Sequence, residues 1–187
     1  MQNTTTENTA KSTTKRMVTI ALVTAITCIL APLSVPIPIS PVPITLTNLV
    51  LFISFFVLEW KDALLSYIIY MLIGLAGLPV FSGFSGGIAK LAGPTGGYLI
   101  GFVFLVLIAG IIIDRFPHRK LPAIIGMVLG MAVTYLFGTV WLAVQMELSF
   151  TAALSVGVFP YLPGDAAKIM IAVIVGPLLQ RRLSAIR

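Results

Sequence analysis

The sequence predicts an all-α membrane protein, a bundle of six transmembrane helices with both termini in the cytoplasm. Of the 187 residues, 58% are hydrophobic and only 10% are charged, and the mean hydropathy is +1.07. In soluble domains about a quarter of the residues are charged, so the low charge argues against a soluble domain. The high hydrophobic content argues against an intrinsically disordered chain. A spanning helix takes roughly 20 residues, which leaves length for five or six spans.

Six apolar runs are the candidate spans: 17–35, 44–58, 63–78, 98–113, 121–144 and 162–179. The polar segment 1–16, rich in Thr and Asn, predicts a disordered cytoplasmic tail, and 183–187 a short cytoplasmic C-terminal tail. Residues 17–182 are predicted to form one transmembrane substrate-binding domain. The first run is long for a signal peptide and shows no clear A-x-A cleavage site, so we expect it to be retained. The second and third runs are short, which tilt or burial against neighbours accommodates.

The basic residues orient the chain, because they concentrate at the cytoplasmic ends of membrane spans. With six spans and a cytoplasmic N-terminus, ten of the 12 Lys and Arg residues fall on that side: Lys11, Lys15, Arg16, Lys61, Arg115, Arg119, Lys120, Arg181, Arg182 and Arg187. Five spans would place the C-terminal arginines outside. This topology explains the excess of basic over acidic residues, so nucleic-acid binding is not predicted. Lys90, in an outer loop, and Lys168, in the sixth span, are the exceptions.

Lys168 has an acidic neighbour, Asp165, three positions earlier. In a helix these two residues share one face, and Pro163 suits a first helical turn, so the pair is expected near the extracellular mouth. A charge inside a span is costly and is by default a functional-site hypothesis. The pair is therefore interpreted as a polar anchor for a solute entering from outside. The alternative is an ion pair that satisfies only itself.

Two loops are candidates for the rest of the site. The segment 35–47, VPIPISPVPITLT, contains four prolines and predicts an extended, stiff backbone. It is either a lid over a site or a rigid connector. The segment 78–98 contains six glycines and two prolines. There, Gly96 and Gly97 begin a helix, and its first backbone amides, which lack helical partners, can bind a carboxylate. Lys90 lies nearby in the sequence. The alternative is a plain helix cap at Thr95.

Signatures of chemistry are missing from the sequence. It has no ATP-binding motif, no HExxH, no nucleophile elbow and no Cys/His cluster, and Cys28 is predicted to be an inert packed thiol. We therefore predict no enzyme, no catalytic residue, no metal site and no cofactor. Energy for transport has to come from elsewhere. The small-residue pair Ala21 and Ala25 predicts close helix packing, either inside the bundle or against a partner helix.

Four motifs carry a resemblance to a known family: PVPITL at 41–46, GLAGLPVF at 74–81, GPTGGYLIGF at 93–102 and YLPGDAAK at 161–168. Together they resemble the BioY family, the biotin-specific substrate-capture (S) components of energy-coupling-factor (ECF) transporters, over nearly all of 17–182. The resemblance implies a multi-pass protein of a bacterial plasma membrane that binds biotin from outside. It also implies a transmembrane coupling protein and two ABC-type ATPases as partners, with Ala21 and Ala25 contacting the coupling protein.

Biotin as the ligand suggests a role for each candidate residue. Asp165 can accept from a ureido N–H, and Lys168 or Asn48 can donate to the ureido carbonyl. Tyr98 and the proline loop, including Thr45, supply apolar walls, whereas the Gly96 and Gly97 amides or Lys90 suit the carboxylate. The candidate substrate-binding residues are therefore Asp165, Lys168, Tyr98, Gly96, Gly97, Asn48, Lys90 and Thr45. Which end of biotin meets which group is left open, since Lys168 could take the carboxylate. The alternatives are an S component for another vitamin, a solitary carrier, a small intramembrane enzyme, or a structural membrane protein.

Overall fold

The computed structural model describes the backbone of residues 2–185 and the side chains of residues 13–183, so the side chains of Lys11 and Arg187 lie outside it. The protein is mostly helical, with one small hairpin. Its elements in chain order are α1 (Gln2–Leu30), β1 (Ser34–Ile37), β2 (Ser40–Thr45), α2 (Thr47–Ser54), α3 (Trp60–Leu75), α4 (Ile88–Ala92), α5 (Gly96–Arg115), α6 (Lys120–Gln145), α7 (Phe150–Gly157) and α8 (Leu162–Ala185). Each predicted apolar run overlaps one of the helices α1, α2, α3, α5, α6 or α8; α4 and α7 were not predicted.

Four helices within the described residues are long and apolar enough to cross a membrane: Thr13–Leu30, Gly96–Arg115, Lys120–Gln145 and Leu162–Leu183. The other two runs give shorter helices, 8 residues in α2 and 16 in α3. Helix α2 ends at Ser54, whose hydroxyl donates to the Leu51 carbonyl at 2.7 Å. The chain continues in tight turns, in which the Phe56 amide donates to the Ile53 carbonyl.

The two chain ends differ from their predicted state. Helix α1 begins at Gln2, where the sequence predicts a disordered tail over 1–16. No Pro or Gly interrupts residues 2–16, so the polar segment continues the helix of the first span backwards. At the other end, α8 continues to Ala185, into the predicted tail 183–187.

The proline-rich segment is extended, as predicted, and it also folds back on itself. Strands β1 and β2 pair antiparallel, with Ser34 opposite Thr45 and Val35 opposite Ile44, and the register is irregular after Val35. Proline has no N–H to donate, which confines such strands to the edge of a sheet or to a bulge. A two-stranded ribbon consists only of edges and therefore tolerates these prolines. We call the segment Ser34–Thr45 the hairpin.

Glycines set the close approach of α5 and α6. A Cβ at Gly130 would lie 2.6 Å from Cδ1 of Leu105, and one at Gly101 would lie 3.0 Å from Cγ2 of Thr134. Thr134 is fully buried and its hydroxyl donates to the Gly101 carbonyl at 3.0 Å. Gly101 and Gly130 thus allow close internal packing, as small residues at helix contacts in membranes commonly do.

A second set of polar contacts lies at the opposite end of the bundle from the start of α8. Arg16 of α1 donates from Nε to Asp62 of α3 at 2.7 Å, and the Trp60 amide donates to Asp114 of α5 at 2.7 Å. Gln180, late in α8, lines a crevice at this end together with Trp60. These contacts tie α1, α3 and α5 together where the basic residues cluster.

The packing of α5 on α6 predicts the effect of adding one methyl group. Gly130→Ala is expected to lower the free energy of unfolding by about 1–3 kcal/mol, because the new Cβ forces Leu105 and its backbone aside. Gly164→Ala is the matched control, since a Cβ there meets nothing within 4 Å, and helical alanine is intrinsically favourable. Thermal unfolding of both variants in detergent measures the difference; equal Tm values would contradict the close contact.

Candidate ligand-binding site

A cavity lies beneath the hairpin, between α2, α5, α6 and α8. Its lining is mainly apolar and aromatic, with a few polar groups, as is usual for small-molecule sites. The lining residues are Val42, Pro43, Thr45, Thr47, Asn48, Tyr70, Ser82, Thr95, Tyr98, Leu99, Phe102, Met131, Thr134, Tyr135, Gly157, Tyr161, Asp165 and Lys168. Five of the eight substrate-binding residues predicted from the sequence are among them: Asp165, Lys168, Tyr98, Asn48 and Thr45.

Asp165 and Lys168 form an ion pair at 2.9 Å on the first turns of α8. Lys168 also donates to the Thr45 carbonyl at 2.8 Å and to Oδ1 of Asn48 at 2.9 Å. Asn48 in turn donates to Oδ1 of Asp165 at 2.7 Å, and the Tyr135 hydroxyl donates to Oδ2 of the same carboxylate. We call these five residues the polar cluster. Because it joins the hairpin, α2, α6 and α8, the ion pair does not satisfy only itself.

The polar cluster has few hydrogen-bonding positions left. The Lys168 ammonium has three N–H donors and all three are used. The Asp165 carboxylate has about four acceptor positions and uses three. Asn48 keeps one N–H and one acceptor position. The cluster can therefore offer a ligand one carboxylate acceptor beside one amide donor without breaking a bond.

Burial makes this completeness necessary. The side chains of Lys168 and Asp165 are only 12% and 10% exposed. A buried charge that loses its partner destabilises a protein by several kcal/mol, and ionisable residues inside a membrane bundle are paired for the same reason. The arrangement holds both charges at fixed positions on the cavity wall.

Tyr98, at the start of α5, forms part of the wall. Its hydroxyl donates to the Gly157 carbonyl at 3.0 Å. Its ring occupies the space beside Gly138, where a Cβ would lie 2.3 Å from Cδ1 of the ring. The predicted wall position of Tyr98 is therefore found, with its hydroxyl already engaged in a bond to α7.

The predicted carboxylate donors are located outside this lining. The Gly96 amide donates to the Gly93 carbonyl at 3.0 Å, so the bare amide expected there is not found. A Cβ at Gly96 would lie 1.6 Å from the Leu91 carbonyl oxygen, and one at Gly97 would lie 2.3 Å from Cβ of Trp141. Close packing thus explains why both positions are glycine. The roles of Gly97 and Lys90 in anion binding remain predictions; partial burial on α4 lowers the pKa of Lys90.

The hairpin is fastened over the cavity by Tyr161, which precedes α8. The Tyr161 hydroxyl donates to the Val42 carbonyl and lies 2.7 Å from the Ser40 hydroxyl. Val42, Pro43 and Thr45 of the hairpin line the cavity, which favours the lid interpretation over a simple connector. Burial raises the pKa of the Tyr161 hydroxyl.

Sequence reasoning missed several cavity residues, above all Tyr135, Tyr161 and Tyr70. Each is an aromatic residue with a hydroxyl in or beside an apolar run, and hydropathy counts it with the apolar residues. The hydroxyl could have identified these residues as candidates for the site, because a buried tyrosine O–H needs a hydrogen-bond partner. Tyr161 also stands four residues before Asp165 in the YLPGDAAK motif.

Ala21 and Ala25 lie on the outer surface of α1. Both are exposed, next to the exposed Leu22 and Ile26, while the opposite face of α1 packs on α3 through residues such as Thr24, which bonds to Ser66. Packing inside this bundle therefore does not explain the alanine pair.

Comparisons with known proteins agree with the geometry. The family model described as "BioY family" matches residues 2–185. The "Probable biotin transporter BioY" of Pyrococcus horikoshii is 40% identical over 166 residues, which cover 89% of this chain and 96% of that protein. "Biotin transporter BioY2" of Lactococcus lactis subsp. cremoris is 34% identical, covering 88% and 90%.

Two solved structures share the fold. The S-component for biotin from an ECF-type ABC transporter superimposes with a TM-score of 0.85 at 28% identity and covers 91% of this chain and 93% of its own. The S component of a bacterial ECF transporter gives a TM-score of 0.61 at 18% identity, with 93% and 98% covered, a likeness that concerns the fold alone.

The Tyr161 contact predicts how firmly the hairpin is held. Tyr161→Phe removes a hydrogen bond with a net value of about 0.5–1.5 kcal/mol, so amide exchange in residues 34–45 is expected to accelerate roughly 2- to 10-fold. Hydrogen–deuterium exchange with mass spectrometry measures it. Tyr67→Phe, which removes a hydroxyl that bonds to the Leu99 carbonyl and not to the hairpin, is the control. Unchanged exchange in Tyr161→Phe would show that the hairpin does not depend on this bond.

Proposed function

The chain belongs to the BioY family, and on this premise we propose that it is the biotin-binding S component of an ECF-type transporter. It captures biotin from the extracellular side and delivers it inward with energy from partner ATPases. Members of this family are transport subunits, so the chain is not an enzyme, and biotin is the transported ligand rather than a cofactor. The observation that carries the proposal is the polar cluster, fixed on the wall of a mainly apolar cavity beneath the hairpin.

The proposed membrane arrangement has six helices, α1, α2, α3, α5, α6 and α8, in the plasma membrane of a bacterium. Both termini are cytoplasmic. The distribution of basic residues supports this orientation, and the Arg16–Asp62 end of the bundle then faces the cytoplasm. The hairpin, α4 and α7 lie on the extracellular side, with the cavity opening there. The short helices α2 and α3 are accommodated by packing against their longer neighbours.

We assign the ureido ring of biotin to the polar cluster. The ring has N–H groups next to its carbonyl, and the cluster leaves one acceptor on Asp165 next to one donor on Asn48. The two patterns are complementary. Lys168, whose donors are all used, then orients Asp165 and Asn48 instead of contacting the ligand.

The rest of the ligand meets apolar and aromatic walls. Tyr98, Leu99, Phe102 and Met131 line the cavity and suit the thiophane ring and the aliphatic chain. Lys90 and the Gly97 amide remain the proposed partners of the carboxylate. Since neither residue lines the cavity, the carboxylate lies at its mouth.

The proposed partners are a transmembrane coupling protein and a pair of ABC-type ATPases on the cytoplasmic side. The exposed alanines of α1 support a docking face there, because small residues let a partner helix approach closely. Lipid covers the remaining apolar outer surface.

Asp165→Asn is expected to weaken biotin binding by about 1.5–3 kcal/mol, which is roughly 10- to 150-fold, because a hydrogen bond to a charged acceptor is replaced by a weaker one. Calorimetric titration of the purified protein with biotin measures it. Asp62→Asn is the matched control, a buried acid paired with Arg16 at the other end of the bundle, and it should bind normally.

Two outcomes of this titration count against the proposal. Equal affinities of the Asp165 and Asp62 variants would reduce Asp165 to a structural role. A wild-type protein that binds thiamin or riboflavin instead of biotin would be an S component for a different vitamin.

Ala21→Leu and Ala25→Leu are expected to impair assembly with the coupling protein and uptake, while biotin binding by the isolated subunit stays unchanged. The leucine side chains hold the partner helix away. Ala132→Leu, at an exposed alanine of α6, is the control. Co-purification of the complex and uptake of labelled biotin measure the effect. Normal assembly and uptake in the α1 variants would rule out this docking face.

A further inference from the structure

Tyr70 of α3 has a feature that the proposed site does not yet explain. Its side chain is fully buried and it lines the cavity. Among the side chains that the structure describes, its hydroxyl is one of two buried side-chain oxygens without a hydrogen-bond partner, and the other, on Thr139, is not part of the cavity lining. An unsatisfied buried hydroxyl destabilises a protein, and such groups call for an explanation.

The Tyr70 ring is held in place by its aromatic neighbours. It packs edge-to-face on Phe81, with ring centroids 5.5 Å apart, and lies 5.6 Å from the ring of Tyr67. The Thr47 hydroxyl lies close to the Tyr70 hydroxyl, but the two do not meet the geometry of a hydrogen bond. The phenol therefore has a buried O–H without a protein partner, in a residue that lines the cavity.

Tyr67 shows what a structural tyrosine looks like in the same helix. It is buried to the same degree, and its hydroxyl donates to the Leu99 carbonyl at 2.7 Å. Within α3, the Tyr67 hydroxyl therefore has a hydrogen-bond partner in the protein, whereas the Tyr70 hydroxyl has none.

The position of Tyr70 indicates which ligand atom it meets. Thr47, beside the Tyr70 hydroxyl, directly precedes Asn48 of the polar cluster. A ureido oxygen can accept two hydrogen bonds. Asn48 has one N–H left, and Lys168 has none. The second donor has to come from elsewhere on the wall.

We propose that Tyr70 is a ligand-binding residue whose hydroxyl donates to the carbonyl oxygen of the ureido ring, together with the free N–H of Asn48. This inference rests on the proposed function and extends it. It also makes Tyr70 a determinant of specificity. A ligand without an acceptor at this point leaves the buried hydroxyl unpaired, and sites built to hydrogen-bond a group reject analogues that lack it.

The test compares Tyr70→Phe with Tyr67→Phe in calorimetric titrations with biotin and in thermal unfolding of the ligand-free protein. Tyr70→Phe is expected to lower affinity roughly 5- to 100-fold, because the ureido oxygen loses a donor in a buried site. Its ligand-free Tm should be unchanged or higher, since an unpaired polar group is removed. Tyr67→Phe should show the reverse pattern, with a lower ligand-free Tm and an affinity within about 2-fold of wild type.

A second ligand locates the contact. Biotin carboxamide keeps the ureido ring and lacks the carboxylate, so Tyr70→Phe should weaken its binding by the same factor as that of biotin. If Tyr70→Phe weakens the binding of biotin but not that of biotin carboxamide, Tyr70 contacts the carboxylate and the assignment is overturned.

The remaining outcomes are also decisive. Unchanged biotin affinity in Tyr70→Phe overturns the inference while wild-type binding leaves the proposed function intact. A ligand-free Tm that falls as far as in Tyr67→Phe overturns it too, because the hydroxyl would then have a partner without ligand. A wild-type protein that does not bind biotin removes the proposed function and the inference together.

Discussion

The structure depends on one requirement, that a buried lysine in an apolar bundle must have every N–H satisfied. Lys168 meets it with the Asp165 carboxylate, the Asn48 side chain and the Thr45 carbonyl. These groups come from the hairpin, α2 and α8, and Tyr135 adds α6 through the same carboxylate. Because a broken buried pair costs about 3–5 kcal/mol, this one cation fixes the relative positions of four elements. The cavity owes its polar wall to that convergence.

The rest of the bundle brings the cavity walls together without further charge. Glycines of α5 and α6 allow the two backbones to approach, and Thr134 closes the contact with a hydrogen bond to Gly101. Prolines keep the hairpin extended and out of any larger sheet, and Tyr161 anchors it above the cavity. Small residues, prolines and single hydroxyls therefore shape the cavity, and its described lining includes two charged side chains, Asp165 and Lys168.

The sequence was most informative where it is most unusual. Charges are scarce in this chain, so Asp165 and Lys168 stood out, and their helical spacing predicted the ion pair that the structure contains. The helices α1, α2, α3, α5, α6 and α8 were predicted in type and order because each falls in a separate apolar run, whereas α4 and α7 were not predicted. The pairing of β1 with β2 was not predicted, because a local sequence pattern does not show which two segments pair with each other. Tyr135 and Tyr70 were missed because hydropathy treats a tyrosine as apolar, although the hydroxyl decides its role once it is buried.

The completeness of the Lys168 contacts has a consequence for the cavity when no ligand is bound. The ammonium and the carboxylate neutralise each other, and every ammonium hydrogen is bonded within the chain. Departure of the ligand thus exposes no unbalanced charge at the cavity wall. The empty cavity therefore has no electrostatic need to take up a proton or a sodium ion in place of the ligand. Under the proposed function, this site can bind and release its ligand without a coupled ion.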